Sequence, residues 1–88
     1  KKVQVYSTGY CPFCVMAKRL LSSKGVSYED VAVDRDLAKR EEMLQRSGGR
    51  RTVPQIFIGD KHVGGFDDLA ALDRKGELEP LLADLPKT

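Results

Sequence analysis

Cys11-Pro12-Phe13-Cys14 holds the only two cysteines of the chain, and their placement is what gives them chemistry. They follow the run Val3-Gln4-Val5-Tyr6 and open a segment whose apolar residues recur with a helical period as far as Lys24. A helix N-terminus offers partial positive charge and unpaired N–H groups, and both favour a thiolate over a thiol. Cys11, just before the first helical residue, is the candidate nucleophile. Cysteines in such positions have pKa values of roughly 3.5 to 7.5, against about 8.5 for a free thiol. The thiolate is the attacking species in thiol–disulfide exchange. Cys14, one turn deeper, suits a resolving thiol that attacks a mixed disulfide on Cys11. Pro12 fits the first helical turn, where a missing N–H costs nothing.

Three blander uses of the pair compete with this one. A structural zinc site needs four ligands, and the chain offers two cysteines and the single histidine His62. Copper-carrier loops also place Cys-x-x-Cys between a strand and a helix, and two unlinked buried thiols need no function at all. Motif and placement together favour the redox role and no metal site. His62, far along the chain, reads as a surface or edge residue.

Two further segments carry possible chemistry. Thr52-Val53-Pro54 precedes the strand pattern Gln55-Ile56-Phe57-Ile58. Proline is tolerated at a strand's start, and only about 5–6% of X–Pro bonds are cis. Beside a Cys-x-x-Cys turn, a cis bond is nevertheless expected here. The Val53 N–H and C=O would then pair with an extended, peptide-like substrate. In Gly64-Gly65-Phe66-Asp67-Asp68 the glycines permit close backbone approach, and Asp67 is expected to cap a helix. A helix N-terminus accepts a carboxylate through its N–H groups, and the Asp67 side chain can meet an ammonium. Taken alone, this segment is a turn plus a cap. Arg46, Arg50 and Arg51 bracket Gly48-Gly49. Such a run is usually a solvated face, although one arginine near a site can pair with a substrate carboxylate. Tyr10 and Phe13 flank the cysteines, and Phe13 is expected to be partly exposed.

The elements that must position these residues follow from pattern. Val3–Ser7 reads as a buried strand, Pro12–Lys24 as a helix stopped by Gly25, and Ser27–Val33 as a second strand. Asp34 or Asp36 caps a surface helix running to about Ser47, with Leu37, Met43 and Leu44 as its thin apolar face. Gln55–Ile58 and Lys61–Val63 form a hairpin around Gly59-Asp60. A short helix with Leu69 and Leu72 ends at Gly76, and a last helix carries Leu78, Leu81, Leu82 and Leu85, with Pro80 in its first turn. The order β-α-β-α-β-β-α-α demands a right-handed parallel crossover and then a hairpin. The expected fold is α/β and thioredoxin-like: a four-stranded mixed sheet with helices on both faces, residues 1–88 forming one domain.

Composition bounds the rest. In 88 residues, 15 basic and 13 acidic side chains give a net charge of +2, too weak a bias to suggest nucleic acid or membrane as a partner. No apolar run approaches the roughly 18–20 residues that span a bilayer, and Lys1-Lys2 leads straight into strand pattern with no secretory apolar region. The expected home is a reducing cytoplasm, where a lasting structural disulfide is not favoured. With no large apolar patch evident, a monomer is expected.

Together, Cys11-Pro12-Phe13-Cys14, Thr52-Val53-Pro54 and Gly64-Gly65-Phe66-Asp67-Asp68 resemble the dithiol glutaredoxins, and the short bacterial glutaredoxin 3 type in particular. Ala38–Met43, Thr52–Ile58, Asp67-Asp68-Leu69 and Ala71-Leu72-Asp73 share the likeness, which covers nearly the whole chain. The resemblance implies a glutathione-dependent reductase of protein disulfides and glutathione mixed disulfides, with glutathione as co-substrate and no tightly bound cofactor. It implies Cys11 as nucleophile and Cys14 as resolver. The Val53 backbone would pair with the cysteinyl part of glutathione, and Phe13, Thr52 and Pro54 would line its groove. Gly65, Phe66 and Asp67 would hold the γ-glutamyl end. Disulfide-bonded or glutathionylated proteins, ribonucleotide reductase among them, are the implied partners.

Two departures from the family pattern stand out. Thr8 occupies the position where many members carry lysine, so activation of Cys11 rests on the helix N-terminus. Arg50, Arg51 or Gln45 is then left to take the glycyl carboxylate. Phe13 replaces a common tyrosine, keeping the ring and losing a hydroxyl. Two other readings of the same site are an iron–sulfur cluster bridged between two chains, disfavoured by Pro12 and the second cysteine, and reduction by thioredoxin reductase instead of glutathione, disfavoured by the Gly64–Asp67 segment.

Overall fold

A computed structural model describes residues 2–9 and 11–83 of the 88-residue chain. Its organising element is β1 (Val3–Ser7), in which Val3, Val5, Tyr6 and Ser7 are all buried. A strand covered on both faces must lie inside the sheet. The order is β2-β1-β3-β4, with β2 (Tyr28–Ala32) parallel to β1, β3 (Gln55–Ile58) antiparallel to β1, and β4 (Lys61–Gly64) antiparallel to β3. The mixed sheet expected from the sequence is therefore present. Among the described residues no helix is long and apolar enough to cross a membrane.

Strand alternation sends each side chain to a definite layer. Val3, Val5, Ile56 and Ile58 pack against Ala17 and Leu21 of α1 (Pro12–Ser23), Leu69 of α3 (Phe66–Arg74), and Leu78 and Leu82 of α4 (Leu78–Leu82). Tyr6, Val31 and Phe57 face the other way, with Val33, onto Met43 of α2 (Leu37–Arg46). Helices thus cover both faces, and α2 makes the thinner layer.

Element ends follow local chemistry. α1 stops one residue short of expectation, with Lys24 as its C-cap and Gly25 at φ +74°. Of the two candidate caps for α2, Asp36 is used: its carboxylate accepts from Ala38 N at 3.0 Å and Lys39 N at 3.3 Å. Leu37 is not part of the apolar face of α2. It is 80% exposed, whereas Met43 is fully buried. The expectation for Asp67 is also corrected. The cap of α3 is Gly65, whose N–H donates to the Asp68 carboxylate at 3.0 Å, and Asp67 stands inside the first turn. Leu85 and Tyr10 lie outside the described residues.

Removing the Asp36 carboxylate orphans two N–H groups of α2. Asp36→Ala is expected to cost about 1 kcal/mol and lower Tm by roughly 4–8 °C, read by circular dichroism.

Candidate active site

β1 ends at Ser7, and the chain turns into α1 with Cys11 as its N-cap, in extended backbone conformation. The Cys11 carbonyl accepts the first helical bonds, from Cys14 N at 3.1 Å and Val15 N at 3.3 Å. Its side chain does not cap the helix. The thiol points across the turn and donates to the Val53 carbonyl at 3.5 Å. Both cysteines are free thiols, Cys11 half-buried and Cys14 fully buried.

The two sulfurs differ in burial, and for Cys14 burial has an electrostatic consequence. Burial pushes the Cys14 thiol up to about 11, and the neighbouring Cys11 sulfur adds to the rise. The Thr8 backbone N–H and the charge of Lys18 oppose it without reversing it. Lys18 is itself tied to Asp30 at 2.7 Å, and the buried Ser7 hydroxyl donates to the other Asp30 oxygen at 2.6 Å. Burial alone would raise the Asp30 carboxyl, but these two donors hold it below its ordinary value. Burial therefore favours the thiol form of Cys14.

Across from Cys11, the Val53–Pro54 peptide is cis, as the sequence reading expects. Phe13, Thr52, Val53, Pro54, Gly65, Phe66 and Asp67 line one continuous cleft, together with Arg50 and Asp68. Every residue named from the sequence for the groove is thus brought to it. Phe13 is 54% exposed and stacks on Phe66 with ring centroids 6.4 Å apart, forming an apolar wall. Of the three candidates for a carboxylate partner, Arg50 lines the cleft and Arg51 and Gln45 do not. Thr8, where a lysine is common, supplies a backbone N–H to Cys14 and no charge.

Asp68 was not singled out by sequence, although an acid three residues after a candidate cap is a recognisable signal. It accepts from Gly65 N and lies 3.8 Å from the Arg50 guanidinium. Gly64 is what lets it fit: φ is +116° there, and a side chain would collide with the Asp68 carboxylate. The pair of Gln55, fully buried, and His62, joined by a 2.7 Å hydrogen bond behind the cleft, also escaped the sequence reading. Burial, and the charge of Arg50, hold His62 below the ordinary histidine range, with Asp68 opposing.

The comparisons with known proteins agree with this geometry. The family model described as Glutaredoxin matches residues 3–63. Over 80 residues the chain is 59% identical to Glutaredoxin 3 of Escherichia coli (strain K12), covering 91% of this chain and 95% of that protein. The chain belongs to the glutaredoxin family. It is a glutathione-dependent thiol–disulfide oxidoreductase with a Cys-Pro-Phe-Cys dithiol. Among solved structures, this glutaredoxin resembles wheat glutaredoxin, with a TM-score of 0.88 and 36% identity over 100% of this chain and 85% of that one. It also resembles the buckwheat glutaredoxin–glutathione complex, with a TM-score of 0.84 and 36% identity over 93% of this chain and 76% of that one.

The contrast between the two thiols is testable by alkylation. Iodoacetamide at pH 8, followed by peptide mapping, is expected to label Cys11 and spare Cys14 in the folded protein. Cys14 should become reactive only on unfolding or as pH approaches about 11. Because the folded-state value is raised, the unfolded state releases its proton first. Stability is therefore expected to be intact below about 8.5, the free-thiol value, and to fall as pH climbs toward the folded value.

Proposed function

We propose that glutathione lies in the cleft between Phe13, Thr52–Pro54 and Gly65–Asp67, with its sulfur presented to Cys11. The observation that carries this reading is the 3.5 Å approach of the Cys11 thiol to the Val53 carbonyl, because it puts the attacking sulfur beside a peptide edge that an extended tripeptide can pair with. The Val53 backbone takes the cysteinyl residue. The first N–H groups of α3, at Phe66 and Asp67, have no carbonyl partner inside the helix and take the γ-glutamyl carboxylate. The Asp67 carboxylate takes the adjacent ammonium, and Arg50 takes the glycyl carboxylate in place of the lysine that Thr8 replaces.

In the reaction, Cys11 thiolate attacks one sulfur of the substrate disulfide, and the other sulfur leaves as a thiolate that picks up a proton. With a glutathione mixed disulfide, Cys11 keeps the glutathionyl group, and a second glutathione thiolate displaces it as glutathione disulfide. With a protein disulfide, Cys14 attacks the mixed disulfide, the substrate leaves fully reduced, and Cys11–Cys14 becomes the disulfide. Two glutathione molecules then restore the dithiol. The physiological substrates in this reading are disulfide-bonded or glutathionylated cytoplasmic proteins, ribonucleotide reductase among them. Residues 1–88 act as one monomeric domain.

Single-cysteine variants separate the two branches. Cys14→Ser is expected to retain deglutathionylation of a small mixed disulfide and lose reduction of a protein disulfide, while Cys11→Ser loses both. Glutathione-dependent turnover by Cys11→Ser would sink the mechanism. Arg50→Ala should raise the KM for a small glutathione mixed disulfide roughly threefold to tenfold with little change in kcat, the size of one charge-assisted hydrogen bond at a solvated edge. An unchanged KM would remove Arg50 from the site.

A further inference from the structure

Gln55 opens a strand that is otherwise Ile-Phe-Ile, and it is completely buried. A buried primary amide costs free energy unless it is hydrogen-bonded, and an apolar residue of similar size would avoid that cost. Here both ends of the amide are used. Nε2 donates to the Thr52 carbonyl at 2.9 Å and to the Thr52 hydroxyl at 3.2 Å. The other end meets His62 Nε2 at 2.7 Å.

These contacts fix a direction. A carbonyl only accepts, so the nitrogen end of the amide must face Thr52 and the oxygen end must face His62. His62 Nε2 must then carry the hydrogen, which assigns the tautomer of the neutral ring. The ring is held for this task. It stacks on Phe57, its cross-strand partner, with centroids 4.8 Å apart and planes 24° apart. Phe57 in turn carries the Arg46 guanidinium 4.0 Å from its ring centre and meets the edge of Tyr6 at 5.5 Å. A continuous series of contacts therefore runs from α2 through Phe57 and His62 to Gln55 and ends on Thr52. Thr52 adjoins Val53, whose carbonyl meets Cys11.

We propose that Gln55 and His62 are positioning residues of this oxidoreductase: His62 orients the Gln55 amide, and the amide holds both oxygens of Thr52 so that the Val53 backbone presents its edge to glutathione. Neither residue touches the reacting sulfurs. Their contribution is to binding through Val53, and the proposal rests on the reading that glutathione occupies this cleft.

The test is steady-state kinetics on the whole protein, with a small glutathione mixed disulfide as the varied substrate and free glutathione held fixed. His62→Phe keeps the ring against Phe57 and deletes the donor. Gln55→Leu keeps the volume and deletes both ends of the amide. Each is expected to raise the KM for the mixed disulfide roughly threefold to tenfold while kcat stays within about twofold, the scale of one or two lost hydrogen bonds. His62→Gln, which restores an N–H donor, should bring KM back toward wild type. Nitrogen-15 NMR of the wild-type imidazole should show the proton on Nε2. Three results would each overturn the proposal: an unchanged KM in His62→Phe, a proton found on Nδ1, or failure of His62→Gln to rescue. If Gln55→Leu folds poorly, His62→Phe still decides, because His62 is only partly buried. Wild-type turnover that does not saturate with the glutathione mixed disulfide would instead defeat the cleft assignment, so the two failures are distinguishable.

Discussion

The antiparallel register of β1 and β3 is the constraint on which the site depends. Tyr6 pairs with Gln55. β1 runs toward the redox turn and β3 runs away from the Thr52–Pro54 loop, so only antiparallel pairing brings the two loops to one end of the sheet. Register matters as much as direction. Side chains alternate faces with a period of two, so a one-residue slip would turn all of β3 over. Gln55 and Phe57 would then enter the layer of Leu21 and Leu69, and Ile56 and Ile58 would face α2. The slip would bury an unpaired amide among aliphatic side chains, at a cost of several kcal/mol. The hydrophobic pattern that folds the sheet therefore also sets the distance between Cys11 and Val53.

From the same turn, two chemically identical residues acquire unequal roles. Cys11 is the N-cap and sits half-exposed against a backbone carbonyl, whereas Cys14 is one turn inside and fully buried. Burial disfavours the charged form of a thiol, which is why Cys14 stays protonated far above neutral pH. The order of events follows. In the proposed mechanism a substrate sulfur meets Cys11 first because Cys14 is fully buried, and Cys14 acts once the mixed disulfide is already beside it. The charge of Lys18, one helical turn away, favours the Cys14 thiolate and would ease that proposed second step.

Much of this was legible in the sequence, for identifiable reasons. Buried strands such as Val3–Ser7 and Gln55–Ile58 announce themselves by apolar runs between turn residues, and their bounds match the structure. The cleft residues were legible because three motifs recur together in one family, not because any single motif compelled them. The misreadings share a physical origin in tertiary context. Leu37 has helical spacing to Leu44, yet it precedes the turn of α2 that reaches the sheet, and it stays in solvent. Gly65 caps α3 without a side chain because Asp68 reaches back to it, whereas the sequence pattern of a capping oxygen points to Asp67. Gln55 and His62 lie seven residues apart, and their contact needs the β3–β4 hairpin with its irregular register between Ile56 and Phe57. Nothing in local pattern specifies such an irregularity.

The two adjacent acids of α3 illustrate how the fold divides labour between residues that look alike. Asp68 is committed, since its carboxylate accepts from Gly65 N and faces Arg50. Gly64 is forced to be glycine so that this carboxylate can lie against the backbone. Among the described residues, Asp67 makes no side-chain hydrogen bond or ion pair and lines the cleft. In the proposed reading it is the acid that meets the ligand's ammonium. The Arg50–Asp68 contact is long and solvent-exposed, and such pairs are worth roughly 0–1 kcal/mol. An incoming carboxylate can therefore share or take Arg50 at small cost, while the Asp68 contact keeps the guanidinium near the cleft until it arrives. A loosely held arginine on one rim and an unused aspartate on the other suit a zwitterionic peptide with a carboxylate at its far end, and that is the chemical outline of glutathione.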